Sequence, residues 1–244
     1  MRTIITYNGI TSSDMGIVVE KYPNNDHAIR NVSTVRVAGR NGLLTVDNGY
    51  YDNYSQTYEF YVQHNSSKSL QEIGRDLADW LNADGLYHQF SETLEPDVYR
   101  MASLTKTLDI TNIGNWFGRL TLTFDFQPQR WIASGQETIS LSVGSNTIEN
   151  PTIYESKPIF YVHLADPDSA ATLTIGINGQ NFIVNDARDD MVIDSETMNA
   201  YLSDTLLNAS TEGEFPVIAG GEQTIGITGT NIASVDIVPR WWRL

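Results

Sequence analysis

Residues 119–126 read RLTLTFDF, and this stretch decides the fold class because apolar and polar side chains alternate strictly along it. Its apolar members are Leu120, Leu122, Phe124 and Phe126. Such alternation is typical of a strand with one buried face and one face in water. Residues 57–62, TYEFYV, repeat the pattern. We therefore predict that the first half of the chain is built on a β-sheet.

The second half shows the same period in shorter runs. Leu173, Ile175 and Ile177 alternate, and so do Ile139, Leu141 and Val143. Asn178-Gly179 stands between two strand-like runs, which is a strong signal for a hairpin. Short strands joined by turn signals predict an all-β sandwich in this half.

One segment has a helical period instead. In SLQEIGRDLADWLNADG (residues 69–85) the apolar side chains recur every three or four positions and form one stripe. Ser69 and Glu72 have the spacing of a capping box, and Gly85 suits the C-terminal cap. We predict one amphipathic α-helix at about residues 69–83, with its stripe packed against a sheet.

The stretch QPQRWIASGQE (residues 127–137) marks the expected boundary between two domains. A strand is predicted to end at Pro128, and alternation restarts at Ile139. We predict a mainly β fold. Residues 1–134 form a β domain that contains the one α-helix, and residues 135–237 form a β-sandwich. Residues 238–244 form a separate C-terminal tail.

Composition narrows the possible functions. The chain has 244 residues, no cysteine and a formal net charge of -15. The absence of cysteine excludes disulfides, thiol catalysis and cysteine-ligated metals. Residues 133–244 contain 4 basic and 15 acidic residues, which argues against nucleic-acid binding by the second half. We also expect no signal peptide and no membrane insertion, so the protein is expected to be made in a cytosol.

The search for catalytic or metal-binding motifs gives no positive result. The four histidines are His27, His64, His88 and His163, and none has a metal-binding spacing. The acidic stretch NDARDDMVIDSE (residues 185–196) lacks the pattern of a calcium loop and is interpreted as a solvated turn, with calcium as the alternative. A glycosidase would use paired carboxylates, but nothing singles out a pair. We therefore expect no catalytic site, no cofactor site and no metal site.

The chain ends on VPRWWRL (residues 238–244), an unusual terminus for an acidic protein. Chain ends are commonly frayed unless something holds them. Tryptophans on a β-sandwich can also bind sugars, and the candidates are Trp116, Trp131, Trp241 and Trp242. Burial in the core is the preferred interpretation for each of them.

Five segments in order resemble the distal tail proteins of bacteriophages with long non-contractile tails. They are YNGITSSDMGIVV (7–19), VRVAGRNGLL (35–44), IDSETMNAYL (193–202), GEFPVIAGGEQTIGI (213–227) and IVPRWWRL (237–244). The resemblance implies a tail-tube-like N-terminal β domain, which closes six copies into a ring, and a galectin-like C-terminal sandwich. It also implies that the tail returns to the first domain as a clasp. The clasp residues would be Pro239, Arg240, Trp241, Trp242 and Arg243.

The implied role is a structural hub at the virion tail tip, without catalysis or cofactor. A homohexamer, as one ring or two stacked rings, would connect the tail tube to the tail-tip or baseplate apparatus. The implied partners are the tail tube protein, the tape-measure protein, a tail-associated tip protein and a receptor-binding protein. DNA would pass through the lumen without specific binding.

We expect residues 24–56 to form an arm over the adjacent subunit. The alternatives to the hub role are a carbohydrate-binding protein, which would act through its galectin-like domain, and, more remotely, a glycan hydrolase.

Overall fold

The computed structural model describes residues 3–21, 23–24, 26–63, 68–105, 109–112 and 117–244. The chain forms two compact units. The first contains residues up to Arg130 together with Leu244, and the second runs from Trp131 to Arg243. The mainly β fold class is confirmed.

The first part of the chain contains ten strands among its described residues. They are β1 (Ile5–Tyr7), β2 (Ile10–Thr11), β3 (Ile17–Lys21), β4 (Arg30–Val35), β5 (Leu44–Tyr51), β6 (Tyr54–Gln63), β7 (His88–Glu92), β8 (Val98–Leu104), β9 (Asp109–Asn112) and β10 (Phe117–Ile132). The main sheet has the order β2-β1-β7-β8-β10-β6-β3, and β9 also pairs with β10. β4 and β5 form a separate two-stranded sheet.

The quoted stretch 119–126 lies in the long strand β10 and behaves as its alternation predicts. Leu120 is directly opposite Phe60, and Leu122 is opposite Tyr58, in the antiparallel pair with β6. The four apolar residues of this stretch are at most 1% exposed. Cross-strand apolar pairs of this kind stabilise a sheet that has one covered face.

The helix α1 (Leu70–Leu81) packs its stripe into the core of the first unit. Ser69 accepts a hydrogen bond from the Glu72 N–H, and the Glu72 carboxylate accepts one from the Ser69 N–H, so the capping box is formed. The predicted cap at Gly85 is wrong. The helix ends earlier at Asn82, whose N–H donates to the Ala78 carbonyl.

The second unit contains two sheets. Its strands are β11 (Ile139–Ser142), β12 (Gly144–Asn150), β13 (Ile159–Leu164), β14 (Ala171–Ile177), β15 (Gln180–Ala187), β16 (Met191–Asp194), β17 (Asn199–Leu202), β18 (Thr205–Leu206), β19 (Thr211–Glu212), β20 (Gly221–Thr230), β21 (Ile232–Val238) and β22 (Trp242–Arg243). One sheet has the order β11-β21-β13-β16-β17-β18, and the other has the order β12-β20-β14-β15-β19. Buried residues of both sheets share one core, as in a sandwich.

The predicted hairpin at Asn178-Gly179 joins β14 to β15. Both turn residues have positive φ angles, 54° and 80°, which is the backbone requirement of a type I′ turn. Asparagine and glycine reach this region more readily than other residues.

The predicted end of the strand near the domain boundary is wrong. The strand does not end at Pro128, because β10 continues to Ile132. The pairing of β10 with β6 stops at Phe126, so Pro128 removes no hydrogen bond from that ladder. The strand β11 begins at Ile139 as predicted, but of the three alternating residues only Leu141 is buried. Within the described residues, no helix is long and apolar enough to cross a membrane.

Candidate assembly surface

The hairpin of β4 and β5 is the most unusual surface of the first unit. We define the arm as residues 29–51, which contain both strands and the connection between them. Apolar side chains of the arm are exposed along its whole length, although such side chains normally lie in a core. They are Ile29, Val32, Val35, Val37, Leu43, Leu44, Val46 and Tyr50.

Polar side chains fix the register of the arm. Arg30 Nε donates to Asp47 Oδ2 at 2.6 Å, and the Asn48 amide donates to Ser33 Oγ at 2.9 Å. The Gly49 backbone N–H and then the Arg30 guanidinium hold the pKa of the Asp47 carboxyl below its usual value. These bonds match the register in which β4 pairs with β5.

Buried polar groups anchor the start of the arm to the first unit. Arg130 Nη2 donates to the Asp26 carbonyl at 2.9 Å, and the Gln56 amide donates to the Asn24 carbonyl. Arg130 also pairs with Glu95 at 2.8 Å. Both anchoring side chains are at most 4% exposed, so the root of the arm is held firmly.

Charge also distinguishes the arm. It contains three arginines, Arg30, Arg36 and Arg40, against the single acid Asp47, in a chain whose formal net charge is -15. The arm is therefore a basic and apolar projection from an acidic protein. Opposite charge of this kind steers association with an acidic surface.

The structure places the proposed clasp residues at the end of the second unit. Pro239 follows β21 directly, as predicted. The Trp241 side chain is 3% exposed and belongs to the sandwich core. Trp242 stacks on Tyr154 with ring centroids 4.6 Å apart, and Arg240 pairs with Asp194 at 2.7 Å.

These contacts of residues 240–242 lie within the second unit. Arg243 is exposed, and Leu244 groups with the first unit. The return of the tail to the first domain stays a prediction.

Among the described residues, the candidate sugar-binding tryptophans do not form an exposed platform. Trp241 is buried, and Trp131 and Trp242 are partly buried. Trp116 and the histidine at position 64 lie outside the described residues.

The structure brings one of the histidines to the acidic stretch. His163 lies on β13, and its ring is close to Asp189 and Asp190 in the turn between β15 and β16. Sequence spacing did not show this proximity, because about 26 residues separate the histidine from the turn. His27 and His88 do not share this cluster.

Sequence reasoning also missed the polar groups that organise the first unit. Arg100 and Arg130 are each 2% exposed. Arg100 stands between Val98 and Ala102 on the apolar face of VYRMASL, and that position was the available signal.

Comparison with known proteins identifies the first unit. Residues 7–126 match the family described as the phage tail protein RIFT-related domain. The chain carries this phage tail domain. No curated protein sequence matches the chain.

Solved structures agree over nearly the whole length. The Dit protein of phage SPP1, described as a paradigm of the hub adsorption apparatus in phages that infect Gram-positive bacteria, superposes with a TM-score of 0.74. The identity is 10%, over 96% of this chain and 97% of that one. Two baseplate structures of phage p2, in an activated conformation with strontium or calcium, match with TM-scores of 0.50 and 11% identity. Each match covers 97% of this chain and 96% of the phage p2 chain.

The resemblance to siphophage distal tail proteins is thereby confirmed. The fold is that of the SPP1 hub protein, and the family match places the first unit among phage tail domains. Together they support a structural role in a phage tail hub, as part of a virion tail.

Proposed function

We propose that this chain is the structural hub of a siphophage tail tip, and that six copies close into a ring through the arm. The ring connects the tail tube above to the tail-tip or baseplate apparatus below. It leaves a channel through which DNA passes without specific binding, and it acts without catalysis or cofactor. The hub forms in the host cytoplasm and consists of one ring or of two stacked rings.

The exposed apolar arm carries this proposal. A single two-stranded hairpin is marginally stable in water, and eight exposed apolar side chains on it need a cover. A second copy of the chain is the occupant that we propose. The arm is basic, and the remainder of the chain is acidic, so each copy supplies both sides of the contact.

Ring closure follows from the nature of that contact. The arm of one copy and the body of the next are different surfaces, so the interface is heterologous. Heterologous contacts generate a ring when their rotation closes. The firmly anchored root supports closure, because it fixes the direction in which the arm leaves the first unit.

The other parts of the role rest on the similarity to hub and baseplate proteins. The partners that we propose are the tail tube protein, the tape-measure protein, a tail-associated tip protein and a receptor-binding protein. We also propose that the second unit is galectin-like and lies outside the ring. The small number of lysines and arginines suits a channel that does not retain DNA phosphates.

Light scattering on the purified full-length protein tests the ring. The subunit mass is 27.3 kDa, so six copies have a mass of about 164 kDa and stacked rings have about twice that mass. Negative-stain images of the same sample should show rings. A monomer at all concentrations up to about 10 mg/ml would contradict the proposal.

A pair of substitutions tests the arm itself. Val35→Asp with Leu44→Asp places two charges on neighbouring strands of the arm, and the expected result is a folded monomer by circular dichroism and light scattering. Ile153→Asp is the matched control, because this residue is 87% exposed and lies in the second unit. The control should keep the wild-type mass. An unchanged mass in the arm variant would exclude the arm as the interface.

A further inference from the structure

We propose that His163, Asp189 and Asp190 form a binding site for a divalent transition-metal ion of the zinc class. The site lies on the second unit alone and is independent of the proposed hub role. Its donors come from β13 and from the turn between β15 and β16. One nitrogen atom of the imidazole and one oxygen atom of each carboxylate lie within 4.8 Å of one another.

The orientation of the histidine ring is the observation that points to a metal ion. His163 Nε2 lies 3.2 Å from Asp236 Oδ2, and a carboxylate only accepts hydrogen bonds, so Nε2 carries the proton. In the neutral ring Nδ1 then has a free lone pair, which faces Asp190 Oδ1 at 4.0 Å. That distance is too long for a hydrogen bond. Two electron-pair donors that face each other across such a gap are suited to a shared cation.

Asp236 has the role of an outer-shell partner. Histidines that bind metals commonly donate their second ring N–H to a carboxylate, which fixes the tautomer and raises the basicity of the ligand nitrogen. Asp236 lies on β21, the neighbour of β13, so the sheet holds this carboxylate beside the ring. The arrangement is a carboxylate, a histidine and a pair of ligand carboxylates.

Backbone hydrogen bonds hold the Asp189 carboxylate and the main chain of Asp190. Asp189 Oδ1 accepts a hydrogen bond from the Leu164 N–H at 2.8 Å, and the Asp190 N–H donates to the Val162 carbonyl at 2.9 Å. Each aspartate retains an oxygen lone pair for a metal ion. Zinc binds imidazole nitrogen and carboxylate oxygen at about 2.0–2.2 Å, which places tetrahedral ligand atoms roughly 3.3 Å apart. To bind zinc, the ligand atoms would therefore have to approach one another by about 1.5 Å or less.

The charge around the site favours a cation. Among the described residues, no lysine or arginine forms an ion pair with Asp189, Asp190 or Asp236. The neighbouring Arg188 pairs with Asp186 at 2.7 Å. The imidazole ligand favours zinc over calcium and magnesium, which prefer oxygen ligands.

Calorimetric titration with zinc chloride tests the site. The protein should be full-length, without a histidine tag, and treated with EDTA that is then removed. We expect one zinc ion per chain, with affinity reduced at least about tenfold by His163→Ala and about 10- to 100-fold by Asp236→Asn. Asp186→Asn is the matched control, because Asp186 lies in the same acidic stretch, and it should bind zinc as the wild type does. The absence of zinc binding up to 1 mM, or unchanged binding by His163→Ala, would overturn the proposal.

Two measurements keep the test valid if a variant does not fold. Nitrogen-15 spectra of the wild-type protein should show that zinc shifts His163 Nδ1 far more than Nε2. A larger shift of Nε2 would contradict the assigned geometry. Titration with calcium should give at least tenfold weaker binding, and equal or tighter calcium binding would overturn the choice of a transition metal.

Discussion

Gly135 and the backbone of Trp241 are packed so closely that no side chain fits between them. A Cβ atom at position 135 would lie 2.3 Å from the Trp241 nitrogen and 2.7 Å from its Cβ atom. The Gly135 carbonyl accepts the N–H of Arg240, and the Trp241 carbonyl accepts the N–H of Ile132. The last residue of β10 and Gly135 just after it therefore hold the C-terminal segment in place within the second unit.

Gly135→Ala should therefore destabilise the protein by about 2–3 kcal/mol, in the range of overpacked cores. The contact is with backbone, which cannot move aside as a flexible side chain can. Urea denaturation gives the free energy of unfolding. Gly85→Ala is the control, because nothing lies within 4 Å of its added Cβ, and it should change stability by less than about 0.5 kcal/mol. Equal midpoints for the two variants would contradict the prediction.

The buried Arg100 gives a second prediction. Its guanidinium pairs with Glu92 at 2.7 Å and lies 4.3 Å from the centroid of the Phe126 ring. Glu92→Ala should cost about 3–5 kcal/mol, because it leaves a buried charge without its ion-pair partner. The double variant Glu92→Leu with Arg100→Met should be less destabilised than Glu92→Ala, because it removes both charges together.

Chemical denaturation of the wild type, the single variant and the double variant measures this difference. Arg119→Met with Glu20→Leu is the matched control, since this ion pair has a 53% exposed arginine side chain. Removing an ion pair whose arginine is largely in solvent should cost no more than about 1 kcal/mol. If the double variant at positions 92 and 100 is less stable than Glu92→Ala, the ion pair contributes more than its desolvation cost.

The capping box of α1 predicts a pH dependence. The Ser69 N–H and then the Ser69 hydroxyl lower the pKa of the Glu72 carboxyl. A lowered pKa in the folded state means that the stabilisation is present above the ordinary glutamate pKa and is lost as the pH falls through the folded value. Between pH 7 and pH 3, the wild type should lose more stability than Glu72→Gln. Parallel curves for the two proteins would contradict this prediction.

The hydroxyl half of the same box can be tested at pH 7. Ser69→Ala should cost about 1 kcal/mol, because it removes the acceptor of the Glu72 N–H. Gln71→Ala is the control on the exposed side of the same helix and should be neutral or slightly stabilising. Thermal unfolding followed by circular dichroism compares the two variants. A loss in the control as large as that of Ser69→Ala would exclude the cap as the cause.

Local patterns in the sequence predicted local structure well. The alternation of residues 119–126, the helix with its capping box and the Asn178-Gly179 turn each depend on residues that are neighbours along the chain. The helix end was missed because the Asn82 N–H satisfies the Ala78 carbonyl, three positions before the glycine that was expected to cap the helix.

Features that depend on distant residues could not be predicted in the same way. Gln56 and Arg130 anchor residues 24 and 26, and no local pattern relates these positions. The two strands of the arm were not predicted, because the apolar residues of this stretch show no clear period of two. His163 reaches Asp189 and Asp190 only because β13 pairs with β16.

The C-terminal segment gives the last prediction. Arg240 Nη1 donates to Asp194 Oδ1 at 2.7 Å, and the carboxylate side chain is 10% exposed. Arg240→Ala leaves this carboxylate without its ion-pair partner and should cost about 1–3 kcal/mol. Arg243→Ala is the matched control, because Arg243 is exposed, and should change stability by less than about 0.5 kcal/mol.

Deleting residues 240–244 extends this test to the proposed clasp. The truncated protein loses the buried Trp241 together with the stacking of Trp242 on Tyr154, so its melting temperature should fall. If the segment also returns to the first domain, the assembled mass by light scattering should decrease at the same time. A lower melting temperature with an unchanged mass would assign residues 240–244 to the second unit alone. An unchanged melting temperature and an unchanged mass together would exclude a clasp of any kind, because a buried tryptophan side chain contributes several kcal/mol.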